Sequence, residues 1–95
     1  MSTSFSFLTN HGLALICIAH DHTARMRDIA ADLGITERAA QRIVGDLVES
    51  GYLSREREGR RNVYTVRHDQ PLSLSGPRKL QVGDLLRVLA EPAAA

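Results

Sequence analysis

Arginine side chains crowd one short stretch, "REREGRRN", Arg55–Asn62, where four arginines and two glutamates surround Gly59. A guanidinium offers a planar fork of donors that suits phosphate oxygens and the O6/N7 edge of guanine. The stretch therefore reads in two ways. It is a solvated turn whose charges keep a strand edge from pairing with another chain, or it is a grip on something negative. A second set of reactive residue types lies earlier. Cys17 and His20 are three apart on a predicted helix, Asp21 and His22 follow, and His11 stands further back. A thiolate and an imidazole at that spacing can share a metal. A buried cysteine with solvent-facing histidines at a helix end accounts for the same residues, and no metal or other cofactor is assigned. The acids fall on predicted helix surfaces. There is no glycine-rich phosphate loop, and no Ser/His/Asp set follows a strand-turn-helix, so no catalytic constellation emerges.

The elements that must position these groups come from a chain of 95 residues, 43% of them hydrophobic. That length suits one small domain with a modest core, the kind that often gains stability by oligomerising. No segment is long and apolar enough to span a membrane, and "MSTSFSFLTNHG" lacks the basic start and apolar run of a signal peptide. A single cysteine excludes an intramolecular disulfide framework. A cytoplasmic protein is the expectation. The net charge of +1 identifies no partner, but its distribution is uneven. Residues 1–50 carry four arginines against six acids, and residues 51–95 carry eight basic groups against five acids. Eleven of the twelve basic residues are arginine, a bias that a GC-rich coding sequence also produces.

Hydrophobic periodicity predicts a first helix over 9–20, with Leu13, Ile16 and Cys17 at helical spacing, Ala14, Leu15, Ile18 and Ala19 filling in so that most of its circumference can be buried, and Thr9 or Asn10 as cap. A short extended piece is expected around Ala24–Met26. A second helix runs from Arg27 or Asp28 to Leu33 and buries Ile29, Ala30 and Leu33. Gly34 stops it in a left-handed conformation. Thr36 then caps a third helix that extends to about Ser50, roughly 20 Å long, with Ala40, Ile43, Val44 and Leu47 inward. Two strands follow, about Tyr52–Arg57 and Asn62–Arg67, with Arg55 and Arg57 on one face, Glu56 and Glu58 on the other, and the four charges pairing among themselves. "HDQPLSLSGPRK" reads as a linker. A last helix, about Val82–Ala90, carries Val82, Leu85, Leu86 and Leu89 on one stripe and ends before Pro92. The division expected is a first unit over 1–70, then a linker and terminal helix over 71–95.

Two helices joined by a tight glycine turn, the second capped and long, then a hairpin: this is the order of a winged helix-turn-helix. In "MRDIAADLGITERAAQRIV", Ala30 is small where the two helices cross, Gly34 sits at the turn and Ile35 plugs the core behind it. The stretch "ITERAAQRIVGDLVESGYLSREREGRRNVYTV" resembles the recognition helix, "ESGYL" exit and wing of winged-helix transcription regulators of the MarR and ArsR type. The resemblance covers residues 9–68 and is specific over 29–66. It implies an α+β, mostly helical fold with a two-stranded wing and an extra C-terminal helix. It also implies sequence-specific binding to double-stranded DNA, with the helix 36–50 in the major groove and the wing 55–66 on the backbone or minor groove. Carried onto this sequence, the contact residues are Thr36, Glu37, Arg38, Gln41, Arg42 and Gly45 of the helix, and Arg60, Arg61 and Asn62 of the wing. Arg38 or Arg42 would read guanine, Gln41 adenine, and Thr36 would meet a phosphate. The cysteine pair of the family's thiolate metal site has no counterpart in "RDIAADL", and no effector pocket is evident. Small size and the likeness together favour a homodimer, with the stripe Val82, Leu85, Leu86 and Leu89 as its candidate interface and the first helix, Phe5 and Phe7 as further candidates; docking of that stripe onto its own domain is the alternative. The alternative is a winged-helix protein-interaction module without specific DNA binding.

Overall fold

The structure is a computed structural model that describes residues 7–72 and 79–89. The chain is α+β. Among the described residues it forms α1 (Asn10–His20), α2 (Met26–Leu33), α3 (Glu37–Glu49), β1 (Leu53–Glu58), β2 (Arg61–Val66) and α4 (Val82–Leu89). β1 and β2 make a two-stranded antiparallel hairpin, with Leu53 opposite Val66 and Glu58 opposite Arg61. Phe5, Ala90, Pro92 and the middle of the linker lie outside the described residues.

One apolar cluster ties these elements together. Its largest fully buried side chains are Ile18, Ile29, Val44 and Val82, one from each helix. Burying such a side chain contributes about 1.5–3 kcal/mol each. Leu53, Tyr64 and Val66 seal the cluster from the base of the hairpin. α1 packs on α2, α3, β2 and α4, so nearly its whole circumference is at least half covered. Most of its circumference is covered as expected, with Ala14, Leu15 and Ile18 buried deepest and Leu13, Ile16, Cys17 and Ala19 half-buried.

Local chemistry sets the element ends. α1 begins where Thr9 accepts a hydrogen bond from the Gly12 N–H, 3.2 Å. α3 begins where Thr36 accepts one from the Ala39 N–H, 3.0 Å. α2 and α3 stop in the same way. Gly34 has φ 70°, its N–H donates to the Ala31 carbonyl, and the Ile35 N–H reaches back to Ala30. Gly51 has φ 89°, its N–H donates to Val48, and the Tyr52 N–H reaches Leu47. Each is a paired closure that satisfies the last carbonyls of a helix and needs a left-handed residue. Ile35, expected to plug the core, is only half-buried at its edge.

The extended piece expected around Ala24–Met26 is limited to the residue before α2: Arg25 is extended, with φ −88° and ψ 159°, and Met26 is already helical. Asp21 Oδ1 holds the Thr23 N–H and hydroxyl, at 3.0 and 2.7 Å, which folds the chain into a turn. The Arg25 N–H is already given to the Asp28 carboxylate, 3.2 Å, at the start of α2. What remains for sheet pairing is one bond from the Tyr64 N–H to the His22 carbonyl, 3.4 Å. The terminal helix shares the common core. Val82 and Leu86 are buried against the rest of the chain. The Val82 N–H donates to Gln70, Gly83 to His68, and Leu72 to Leu80, which brings the linker ends together.

Candidate nucleic-acid interface

The inward stripe of α3 is Ala40, Ile43, Val44 and Leu47, all buried. With 3.6 residues per turn, the opposite face is the line Arg38, Arg42, Gly45, Glu49, with Gln41 and Glu37 to one side and Asp46 to the other. Glu37, Arg38, Gln41 and Arg42 are exposed. Among the described residues none of these four side chains has a hydrogen-bond or ion-pair partner. Thr36 is also exposed, with its hydroxyl oxygen engaged as the cap. Gly45, expected as an exposed contact, is half-buried, with open space where a Cβ would stand. A glycine there leaves the backbone open to close approach on the outer face.

The charge on this face changes along the helix. The first turns carry Arg38 and Arg42 beside Glu37, where the helix dipole adds positive potential. The last turns carry Asp46 and Glu49. His11 Nε2 lies 2.9 Å from the Asp46 carboxylate and joins α1 to α3 across 35 residues. A polyanion is thus favoured at the N-terminal half of α3 and disfavoured at the C-terminal half.

The hairpin carries the second group. From Arg55 to Asn62 every residue is exposed. A two-residue turn, Gly59 and Arg60, joins the strands, so Arg60 is at the tip. Arg61 and Asn62 already belong to β2 and face Glu58 and Arg57. The strand charges do not pair among themselves as expected. Adjacent residues on a strand point to opposite faces, and Arg55, Glu56 and Arg57 stand opposite Tyr64, Val63 and Asn62. Arg57 Nε donates instead to the Gly59 carbonyl, 3.3 Å. The one facing pair of opposite charge, Glu58 and Arg61, is unmade because the Arg61 guanidinium donates to the Thr23 carbonyl. Among the described residues the close acid–base contacts are the His11–Asp46 hydrogen bond and the Arg87–Asp84 ion pair.

Sequence reasoning missed the arginines at the start of α2. Arg25 and Arg27 are exposed there. Arg25 lines an open hollow of about 300 Å³ together with Ala24, Met26, Arg61, Asn62 and Tyr64. The signal was available: two arginines flank the first residue of a helix, where free backbone N–H groups also favour anions. A second hollow of about 290 Å³ lies between α1 and β2, with His22 and His68 on its wall.

The cysteine and histidines do not converge. The Cys17 thiol points to Asp32 Oδ2 at 3.9 Å. Partial burial pushes its pKa up, and the Asp32 carboxylate pushes the same way, so the thiolate that a metal requires is disfavoured. Among the described residues no group of three His, Cys, Asp or Glu side chains comes together to hold a metal. No described helix is long and apolar enough to cross a membrane.

On the α4 stripe, Val82 and Leu86 face the chain's own core, which removes them from any interface. Leu85 and Leu89 are exposed at about two-fifths, Val88 at 81% and Phe7 at 92%. Compared with protein-family models, curated proteins and solved structures, the chain matches none.

Proposed function

We propose that this chain is a winged helix-turn-helix regulator of transcription that binds double-stranded DNA. The supporting observation is the N-terminal half of α3. It is a capped helix set on a tight glycine turn after α2, with Arg38, Gln41 and Arg42 facing solvent and, among the described residues, lacking intramolecular partners. Protein cores dictate nothing at these positions, yet long donor side chains are held out on a rigid element, as base readout in the major groove requires. On this reading β1–β2 is the wing, with Arg60 at its tip resting on phosphate or in the minor groove. Arg25 and Arg27 meet the backbone beside α2, and Thr36 and Glu37 flank the readout. The acidic end of α3 stays out of the groove.

One such module makes few contacts, so the reading includes a homodimer formed over the outer edge of α4, with Leu85, Val88 and Leu89 at its centre. Two α3 helices would then address half-sites about 34–36 Å apart.

The test is selection of bound duplexes from a random DNA pool, with Arg38→Ala plus Arg42→Ala as control. A recurring, two-fold symmetric motif that disappears in the control is the expected result. If no motif is enriched and the double variant retains the same pool, the helix is not a reader. The fold would then serve protein interaction, for which a mixed face of Glu37, Arg38, Asp46 and Glu49 also suffices.

A further inference from the structure

The outer half of the hairpin has no apolar anchor. Leu53, Tyr64 and Val66 are buried at its base, and every residue from Arg55 to Asn62 is exposed. A two-stranded hairpin with no buried face is marginal alone, so the position of its tip depends on bonds to the body. Among the described residues only one side chain of this outer half makes such a bond: Arg61, from its guanidinium to the Thr23 carbonyl, across 38 residues. Thr23 is itself held. Asp21 Oδ1 accepts from its N–H and its hydroxyl, and the Asp21 N–H in turn closes the C-terminus of α1 on the Cys17 carbonyl, 3.0 Å. The Ala24 N–H donates to the Asp21 carbonyl, 3.0 Å, which completes the turn. The chain of bonds therefore runs from the end of α1 through a locked turn to the first residue of β2.

We infer that Arg61 is a positioning residue that braces the hairpin against the α1–α2 turn through Thr23, and that Arg60, not Arg61, supplies the wing's contact to a partner. A guanidinium committed to a carbonyl on the body is poorly placed to pair with a phosphate as well. The brace is a property of the protein alone, and its consequence for DNA rests on the function proposed above.

Two measurements test it. In the DNA-free protein, backbone order parameters of Glu58, Gly59 and Arg60 report the tip. Arg61→Ala should drop them toward the flexible range, below about 0.6, without loss of the cooperative fold. Asp21→Ala should lower them less, and Arg60→Ala should leave them unchanged. A tip equally ordered in wild type, Arg61→Ala and Asp21→Ala would overturn the brace. With DNA, a double-mutant cycle on Arg60 and Arg61 separates the roles. A brace predicts that adding Arg60→Ala to Arg61→Ala causes little further loss, and that the slope of log K against log salt falls by about 0.9 in total. Two independent phosphate contacts would give multiplying losses and a fall of about 1.8, which would overturn the assignment. If the tip loosens as expected but no duplex binds at any salt, the brace stands and the DNA reading fails.

Discussion

Arg38, Gln41 and Arg42 could be placed on the outer face of a helix from spacing alone, because a 3.6-residue period fixes which side chains oppose a buried stripe. The readout proposed for them predicts a particular signature. Replacing either arginine by alanine should cost about 1–3 kcal/mol toward one base pair and relax preference there, as read by competition with single-base variants of the selected site. Arg61 was legible only as a charged residue near a turn. Its bond to Thr23 closes 38 residues of chain, and no local pattern encodes that distance. The same holds for His11 and Asp46. Asp21 gives a pH-dependent test. Hydrogen bonds from the Thr23 hydroxyl, then from the Thr23 N–H, hold its carboxyl below the usual carboxylate range, with the nearby Arg61 a smaller contributor. A lowered folded-state pKa stabilises the fold above the ordinary value, and that stabilisation is lost as pH falls through the lowered one. Asp21→Asn should therefore melt below wild type at neutral pH, and the gap should close in acid. A gap unchanged across that range would show that the carboxylate charge plays no part.

At the scale of elements, the stops and caps were legible because single residues determine them. Thr36 acts through its hydroxyl and Gly34 through its lack of a Cβ, each at the place expected. Gly34→Ala meets no atom within 4 Å, so its cost is backbone strain alone, about 1–2 kcal/mol, measurable by urea unfolding. Ala30 is buried on the face of α2 that joins the common core, and Ala30→Leu should cost about 1–3 kcal/mol through overpacking. A neutral Ala30→Leu variant would mean that α2 and α3 do not cross closely there. Less was legible where elements compete for backbone groups. The strands sit one residue from their expected limits because the two-residue turn, not propensity, fixes the register. The extended piece expected at Ala24–Met26 is limited to Arg25, because the Ala24 N–H closes the preceding turn on the Asp21 carbonyl and the Arg25 N–H is held by Asp28 at the start of α2.

The whole molecule is held by a core to which all four helices contribute, and this was the least legible level. An amphipathic terminal helix reads the same whether its stripe meets its own chain or another. The structure divides the stripe: Val82 and Leu86 go inward, Leu85 and Leu89 remain at the edge, and Val88 stands outside. Leu86→Ala should accordingly cost about 2–5 kcal/mol in a single cooperative transition. If α4 were a detached unit, global unfolding would be unaffected. Val88→Glu should leave the fold intact and yield monomers in sedimentation at concentrations where the parent chain is dimeric. A parent that sediments as a 10.5 kDa species would remove the dimer from the account. The central claim is that the arginines of this small body hold DNA, and the salt dependence of duplex affinity tests it most directly. For the selected duplex, log K should fall linearly with log salt between about 50 and about 200 mM, by about 0.9 per phosphate neutralised, and less steeply for Arg60→Ala. An affinity flat across that range, identical in the variant, would contradict it.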